Sequence, residues 1–133
     1  MAISTDDYVS ISDFLGRYCW LIDEGEVDDW VALWTEDGAF MATGMELVGR
    51  EKLKLIHQQA SASGRGTTRH VACNLHCDYG PSRDTVQARL YNYVTNWSNN
   101  NKPPLLAVCK ATIIRDGQGW KMKRNDVTML RAG

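Results

Sequence analysis

The chain reads as α+β, with three helices packed on one face of a curved, mainly antiparallel sheet. Two observations predict this. Helical patterns crowd into the first half, to about residue 62, and long strand-like runs fill the second. Helices gathered ahead of strands, rather than alternating with them, are the order of an α+β layer fold. A length of 133 residues suits a single domain, 1–133, with a real core. No internal repeat or low-complexity segment interrupts it.

Thr5, Asp6 and Asp7 supply an N-cap and early negative charge for the first helix. Ile11, Leu15, Tyr18, Cys19 and Ile22 follow at helical spacing, with Asp23 at the edge of their stripe and Gly25 as the stop. A second short helix over residues 27–34 points Trp30 and either Leu33 or Trp34 inward. Glu36-Asp37-Gly38 is a turn, and residues 39–43 and 45–48 form a hairpin around Gly44. A third helix covers residues 50 to about 62, with Leu53 and Ile56 toward the core and His57 structural or at the surface. Long strands are expected over 67–77, 85–97, 105–115 and 120–130. A loop over 98–104 and a turn at Asp116-Gly117-Gln118-Gly119 join the last three.

Bulk properties exclude several classes. A formal net charge of −1 gives no footing for nucleic acid or an acidic membrane surface. The first residues are acidic and lack the apolar core of a signal peptide, and no apolar run approaches a membrane span. Four scattered cysteines, Cys19, Cys73, Cys77 and Cys109, suit a reducing compartment, so a cytoplasmic location is expected. The long strands should leave one broad, partly apolar sheet face exposed, which points to a homo-oligomer, a dimer or trimer.

The chemistry centres on Thr67-Thr68-Arg69-His70-Val71-Ala72-Cys73-Asn74-Leu75-His76-Cys77. Alternation puts His70, Ala72, Asn74 and His76 on one face and Val71, Cys73, Leu75 and Cys77 on the other, apolar one. His70 can titrate near neutral pH. Asp23, at the helix end, is a carboxylate able to orient it, or else a solvated terminal charge. In the last strand Trp120, Met122 and Arg124 share a face, which sends Arg124 inward toward an anion: Asp126, Asp23 or a substrate oxygen. Tyr18 lies in the apolar stripe as core or as catalyst. Either Asn92 or the pair Tyr91 and Tyr93 faces the cavity; alternation leaves the choice open. Cys73 and Cys77 lie too far apart along one strand to chelate a single zinc ion, so no metal is expected. No phosphate-binding glycine loop, nucleophile elbow or dinucleotide fingerprint is present, and no cofactor is expected.

These residues resemble a family. Tyr18 and Asp23 on the first helix, then Asp29-Trp30, Leu33-Trp34-Thr35-Glu36-Asp37-Gly38, Thr68-Arg69-His70, Asn74 and Trp120-Lys121-Met122-Lys123-Arg124-Asn125, look like the SnoaL-like branch of the NTF2-like superfamily, the cystatin-like α+β cone. The resemblance covers nearly the whole chain. It implies similarity to scytalone dehydratase, bile-acid dehydratase and hexachlorocyclohexane dehydrochlorinase types, which pair a helix carboxylate with a strand histidine. On that footing Asp23 and His70 match the dyad, Arg124 the dehydrochlorinase's inward arginine, and Tyr18 the bile-acid dehydratase's tyrosine. The second acid of the bile-acid dehydratase has no counterpart in Tyr91-Asn92-Tyr93.

The expectation is therefore a cofactor-independent lyase that removes water, or a small carbon fragment, from a small hydrophobic, oxygenated, aromatic or polycyclic substrate. His70, Asp23, Tyr18 and Arg124 would be catalytic. Asn74, Tyr91, Tyr93, Asn92, Met122 and Trp120 would contact substrate. An isomerase or cyclase using the same dyad, or a non-catalytic binding or assembly domain, are the alternatives; loss of mass in the product separates the first pair.

Overall fold

The computed structural model describes residues 1–64, 66–100 and 105–130. In chain order the elements are helix α1 (Thr5–Glu24), helix α2 (Val27–Val31), strands β1 (Trp34–Ala42) and β2 (Met45–Val48), helix α3 (Arg50–Gly64), and strands β3 (Thr68–Tyr79), β4 (Thr85–Asn96), β5 (Leu105–Asp116) and β6 (Gly119–Leu130). One six-stranded sheet runs β2-β1-β6-β5-β4-β3, antiparallel except for the parallel β1–β6 pair. The α+β architecture matches the expectation. The loop expected over 98–104 lies outside the described residues at 101–104, and Trp97–Asn99 forms a 3-10 turn. Among the described residues no helix is long and apolar enough to cross a membrane.

Local chemistry explains the boundaries. Ser4, one residue before the expected cap, closes the start of α1 by accepting the Asp7 N–H at 3.2 Å. Gly25 leaves the helix in extended backbone, and glycine suits the position because a Cβ there would meet Leu21 at 2.6 Å. The second helix is shorter than expected. It stops at Val31 because Trp34 already pairs with Met122, and the Met122 N–H donates to Leu33 O at 2.8 Å. Glu36-Asp37-Gly38 lies within β1, where the register shifts between Trp34 and Ala39. The Thr43-Gly44 hairpin turn has both residues at positive φ, 52° and 77°, the backbone a two-residue turn demands.

The buried face of α1 carries Ile11, Phe14, Leu15, Tyr18, Cys19 and Ile22 onto Val86, Ala88, Leu90, Cys109, Ala111 and Met122 of the sheet. Tyr18, Trp30 and Trp34 pack ring on ring at 5.4–6.0 Å between centroids. His57 is buried, 2 % exposed, and structural: its Nε2–H donates to Leu21 O at 2.9 Å, tying α3 to the last turn of α1.

Two β-bulges revise the alternation read from the sequence. In β3 the register slips between Cys73 and His76, and Asn74 takes φ 56°. The extra residue reverses which side chains face in. His70 turns toward α1 before it, and Cys77 and Tyr79 are buried after it, whereas Val71, Ala72 and His76 are exposed. Cys73 and Cys77 therefore do not share a face. In β6 Met122 pairs with Ile113 and Arg124 with Thr112, so Lys123 is the extra residue. Trp120 and Met122 face in, then Asn125; Arg124 does not.

Candidate active site

The C-terminal turn of α1 leans over the start of β3, an edge strand whose free backbone groups need partners. Asp23, 7 % exposed, supplies one. Its Oδ2 accepts the backbone N–H of His70 at 2.8 Å, and its Oδ1 accepts the ring Nδ1–H of the same residue at 2.6 Å. A buried carboxylate at the negative end of a helix dipole is costly unless donors compensate it; here two do. Clamping Nδ1 selects the tautomer in which Nε2 of the neutral ring carries a lone pair, and Nε2 has no partner among the described residues. Farther along the edge, Tyr8 donates its hydroxyl to Leu75 O at 3.3 Å.

The dyad lines a groove of about 310 Å³ between α1 and β3, with Gly16, Cys19, Trp20 and Arg69 around it. Arg69 is the groove's cation; its guanidinium donates to Glu24 at 2.9 Å and to Thr68 O at 2.8 Å. Cys19 is no nucleophile. Burial, with the neighbouring Asp23 carboxylate, pushes its thiol up to about 12, so it stays protonated.

Behind Cys19, inside the cone, lies a second space lined by Tyr18, Cys19, Leu90, Asn92, Met122 and Asn125 among others. Its volume is about 10 Å³, room for roughly one water molecule. The small side chain of Ala111 also lines it. The Asn125 Nδ2–H donates to the Tyr18 hydroxyl oxygen at 3.3 Å. The side-chain oxygens of Asn92 and Asn125 are buried without a hydrogen-bond partner. Burial raises the Tyr18 pKa well above the ordinary tyrosine value, opposed only in part by the Asn125 hydrogen bond.

The structure thus brings some of the expected residues together and separates others. Asp23 and His70 meet; Tyr18, Asn92 and Met122 line the adjoining chamber; Cys19 touches both spaces. Arg124 is a correction. The β6 bulge turns it away, and it pairs with Asp126 at 3.0 Å and Glu46 at 3.6 Å at the half-exposed rim, not with Asp23. Asn74 is another: it lines a shallow outer pocket with His76 and Arg89. Tyr91 lines the same outer pocket, and Tyr93, two residues on, shares its strand face opposite Asn92. Trp120 is buried structure, its indole N–H donating to Ser10 Oγ at 2.8 Å. Asn125 is absent from the expected site residues, because only the bulge brings it inward. Asn92 does leave a signal: the apolar run Val86, Ala88, Leu90 continues to it at every second residue.

Comparisons with known proteins follow this geometry. The family model for the SnoaL-like domain matches residues 4–126. Among curated proteins none matches. Solved structures do. A protein of unknown function with a cystatin-like fold from Nostoc punctiforme PCC 73102 superposes with a TM-score of 0.84 at 18% identity, covering 99% of this chain and 97% of that one. A protein provisionally named scytalone dehydratase from Novosphingobium aromaticivorans DSM 12444 gives 0.81 at 20% identity, over 94% and 85%. An NTF2-like protein with a cystatin-like fold from Novosphingobium aromaticivorans gives 0.79 at 24% identity, over 96% and 84%. At such identities the structural likeness speaks for the fold alone. With the family model spanning residues 4–126, almost the whole chain, this protein belongs to the SnoaL-like family.

Proposed function

We propose that this protein is a cofactor-independent lyase that eliminates water, or a small carbon fragment, from a small hydrophobic, oxygenated molecule of aromatic or polycyclic type. One observation carries the reading: Asp23 accepts both the backbone and the ring N–H of His70, at 2.8 and 2.6 Å, in a groove open to a ligand. A ring held in one tautomer by a buried carboxylate is a general base with its charged form stabilised in advance.

Nε2 of His70 takes a proton from a carbon beside an activating group. The electron pair left on carbon forms the new double bond as the neighbouring C–O bond breaks. Asp23 holds the imidazolium so formed. Tyr18 donates a hydrogen bond to the departing oxygen. It does not supply a full proton, because burial opposes its ionisation. The proton that completes the departing water is returned by His70. Arg69, in the groove, takes the charge-stabilising role expected of Arg124 from the sequence. Cys19 lines both the groove and the space beside Tyr18, so this role requires the leaving oxygen to pass its side chain.

The test is a panel of hydroxylated aromatic and steroid-like compounds followed by mass spectrometry. Wild type is expected to convert a member with loss of mass, and folded His70→Ala to leave it intact. A product of unchanged mass makes the protein an isomerase or cyclase. Normal turnover by His70→Ala removes the base from the mechanism.

A further inference from the structure

The small chamber behind Cys19 presents an unbalanced set of polar atoms. Buried polar groups almost always have partners, so each orphan calls for an explanation. Two are here at once: the side-chain oxygens of Asn92 and Asn125. Asn125 is 5 % exposed. Its amide N–H goes to the oxygen of Tyr18, which leaves the Tyr18 O–H free to donate elsewhere. Turning the Asn125 amide over hands its oxygen to the Tyr18 O–H and orphans its nitrogen instead. In either orientation the chamber lacks one small group that both donates and accepts.

We infer that the chamber receives the hydroxyl that leaves the substrate, with Tyr18 donating to its oxygen and the side-chain oxygens of Asn92 and Asn125 accepting its hydrogen. The inference rests on the reading of the groove as the substrate site. The inference places the substrate body in the groove beside His70 and requires its hydroxyl to pass Cys19, the residue that lines both spaces and stands between them. An alcohol has a single hydrogen to offer and leaves one acceptor unpaired. Water has two and satisfies both. The chamber is therefore more complementary to the departing water than to the intact alcohol, the direction in which binding favours elimination. Its volume of about 10 Å³ matches that one small group and excludes a ring. The same inventory selects against other leaving groups. A halide or a methyl ether only accepts, so both amide oxygens would stay buried and unpaired.

Matched ligands test this. The probes are 2-naphthol, 2-methoxynaphthalene and 2-chloronaphthalene, with affinity measured by calorimetry on the wild-type protein. The naphthol is expected to bind on the order of 10- to 100-fold more tightly, the cost of leaving one further buried acceptor unpaired. Asn92→Leu and Asn125→Leu should each narrow that gap, chiefly by weakening naphthol binding. Equal affinity of wild type for all three probes overturns the inference and needs no variant to fold. So does a gap that persists in both folded leucine variants. His70→Gln separates the two claims: it should abolish turnover yet keep the preference for naphthol. Normal turnover in that variant would sink the base assignment and leave the chamber standing.

Discussion

Helix α1 grips the sheet with a carboxylate at each end, and the two grips differ in what they leave free. At the N-terminal end Asp7 accepts from the Tyr79 hydroxyl and from Arg115 Nη2 at 2.9 Å. Arg115 also donates to Asp84 at 3.1 Å, and its guanidinium lies over the Trp120 ring at 4.3 Å. Every charged group in that cluster is consumed by another. At the C-terminal end Asp23 accepts twice from His70, and the far ring nitrogen keeps its lone pair facing a groove. A closed network contributes stability; an open one retains something to react with.

Breaking the open grip should give the largest effect. His70→Ala is expected to lower turnover roughly 10²–10⁴-fold, the usual range for a general base. Asp23→Asn should be comparably severe, because an amide cannot stabilise the imidazolium and can favour the wrong tautomer. Steady-state kinetics on the substrate found by the mass screen, with circular dichroism to confirm folding, reads both. A folded Asp23→Asn protein with wild-type kcat would mean that the carboxylate only ties down the edge of β3.

Breaking the closed grip should move stability and spare chemistry. Asp7→Ala removes the carboxylate acceptor from the Tyr79 hydroxyl and Arg115, which keep Ser4 Oγ and Asp84, at a cost of roughly 1–3 kcal/mol. The thermal midpoint should fall by several degrees, about 3–10 °C for a domain of this size. Turnover per folded molecule should stay near wild type. Calorimetric scans beside active-site titration test the split; a large kcat loss with no stability change would erase the contrast between the two ends.

Acid sharpens the same comparison. The Tyr79 hydrogen bond, helped by Arg115, holds the Asp7 carboxyl below its ordinary value even though burial pulls the other way. A group with a lowered folded pKa contributes its full stability above the unfolded value, about 3.9, and loses it as pH falls through the folded one. Wild type should therefore lose stability in that acid window, and Asp7→Asn should show a shallower loss in urea melts across it.

Spacing, caps and turns are local properties, and they suffice for the order of helices and strands. Asp23 and His70 are legible in the sequence as well, since a carboxylate on an apolar helix stripe and a histidine among small residues are anomalies wherever they sit. Strict alternation misplaces or misses Arg124, Asn125, Asn74 and His76 for one shared cause: each lies at or beyond a bulge. One extra residue in a strand reverses the facing of all that follows, and neither Lys123 nor Asn74 advertises itself as the extra one. The Ser4 cap differs from the expected one by a single residue, within the usual uncertainty of helix ends.

The smallest expected effect belongs to Arg124, and it separates two arginines that a strand pattern cannot rank. Arg124 lies at the rim with its side chain 40% exposed, paired to Asp126 and Glu46, both carboxylates in contact with solvent. Pairs of that kind contribute about 0–1 kcal/mol, because water and salt screen them. Arg124→Ala should thus leave turnover within about twofold of wild type, and its stability cost should shrink further in high salt. Arg69 instead lines the groove that holds His70. Arg69→Ala removes the groove's cation, which is itself paired with Glu24, and should cost roughly tenfold in kcat/KM, toward the lower end for a positioned electrostatic group. Kinetics on the two variants side by side decide the matter. A tenfold loss in Arg124→Ala with none in Arg69→Ala would take the charge-stabilising role from Arg69 and give it to Arg124.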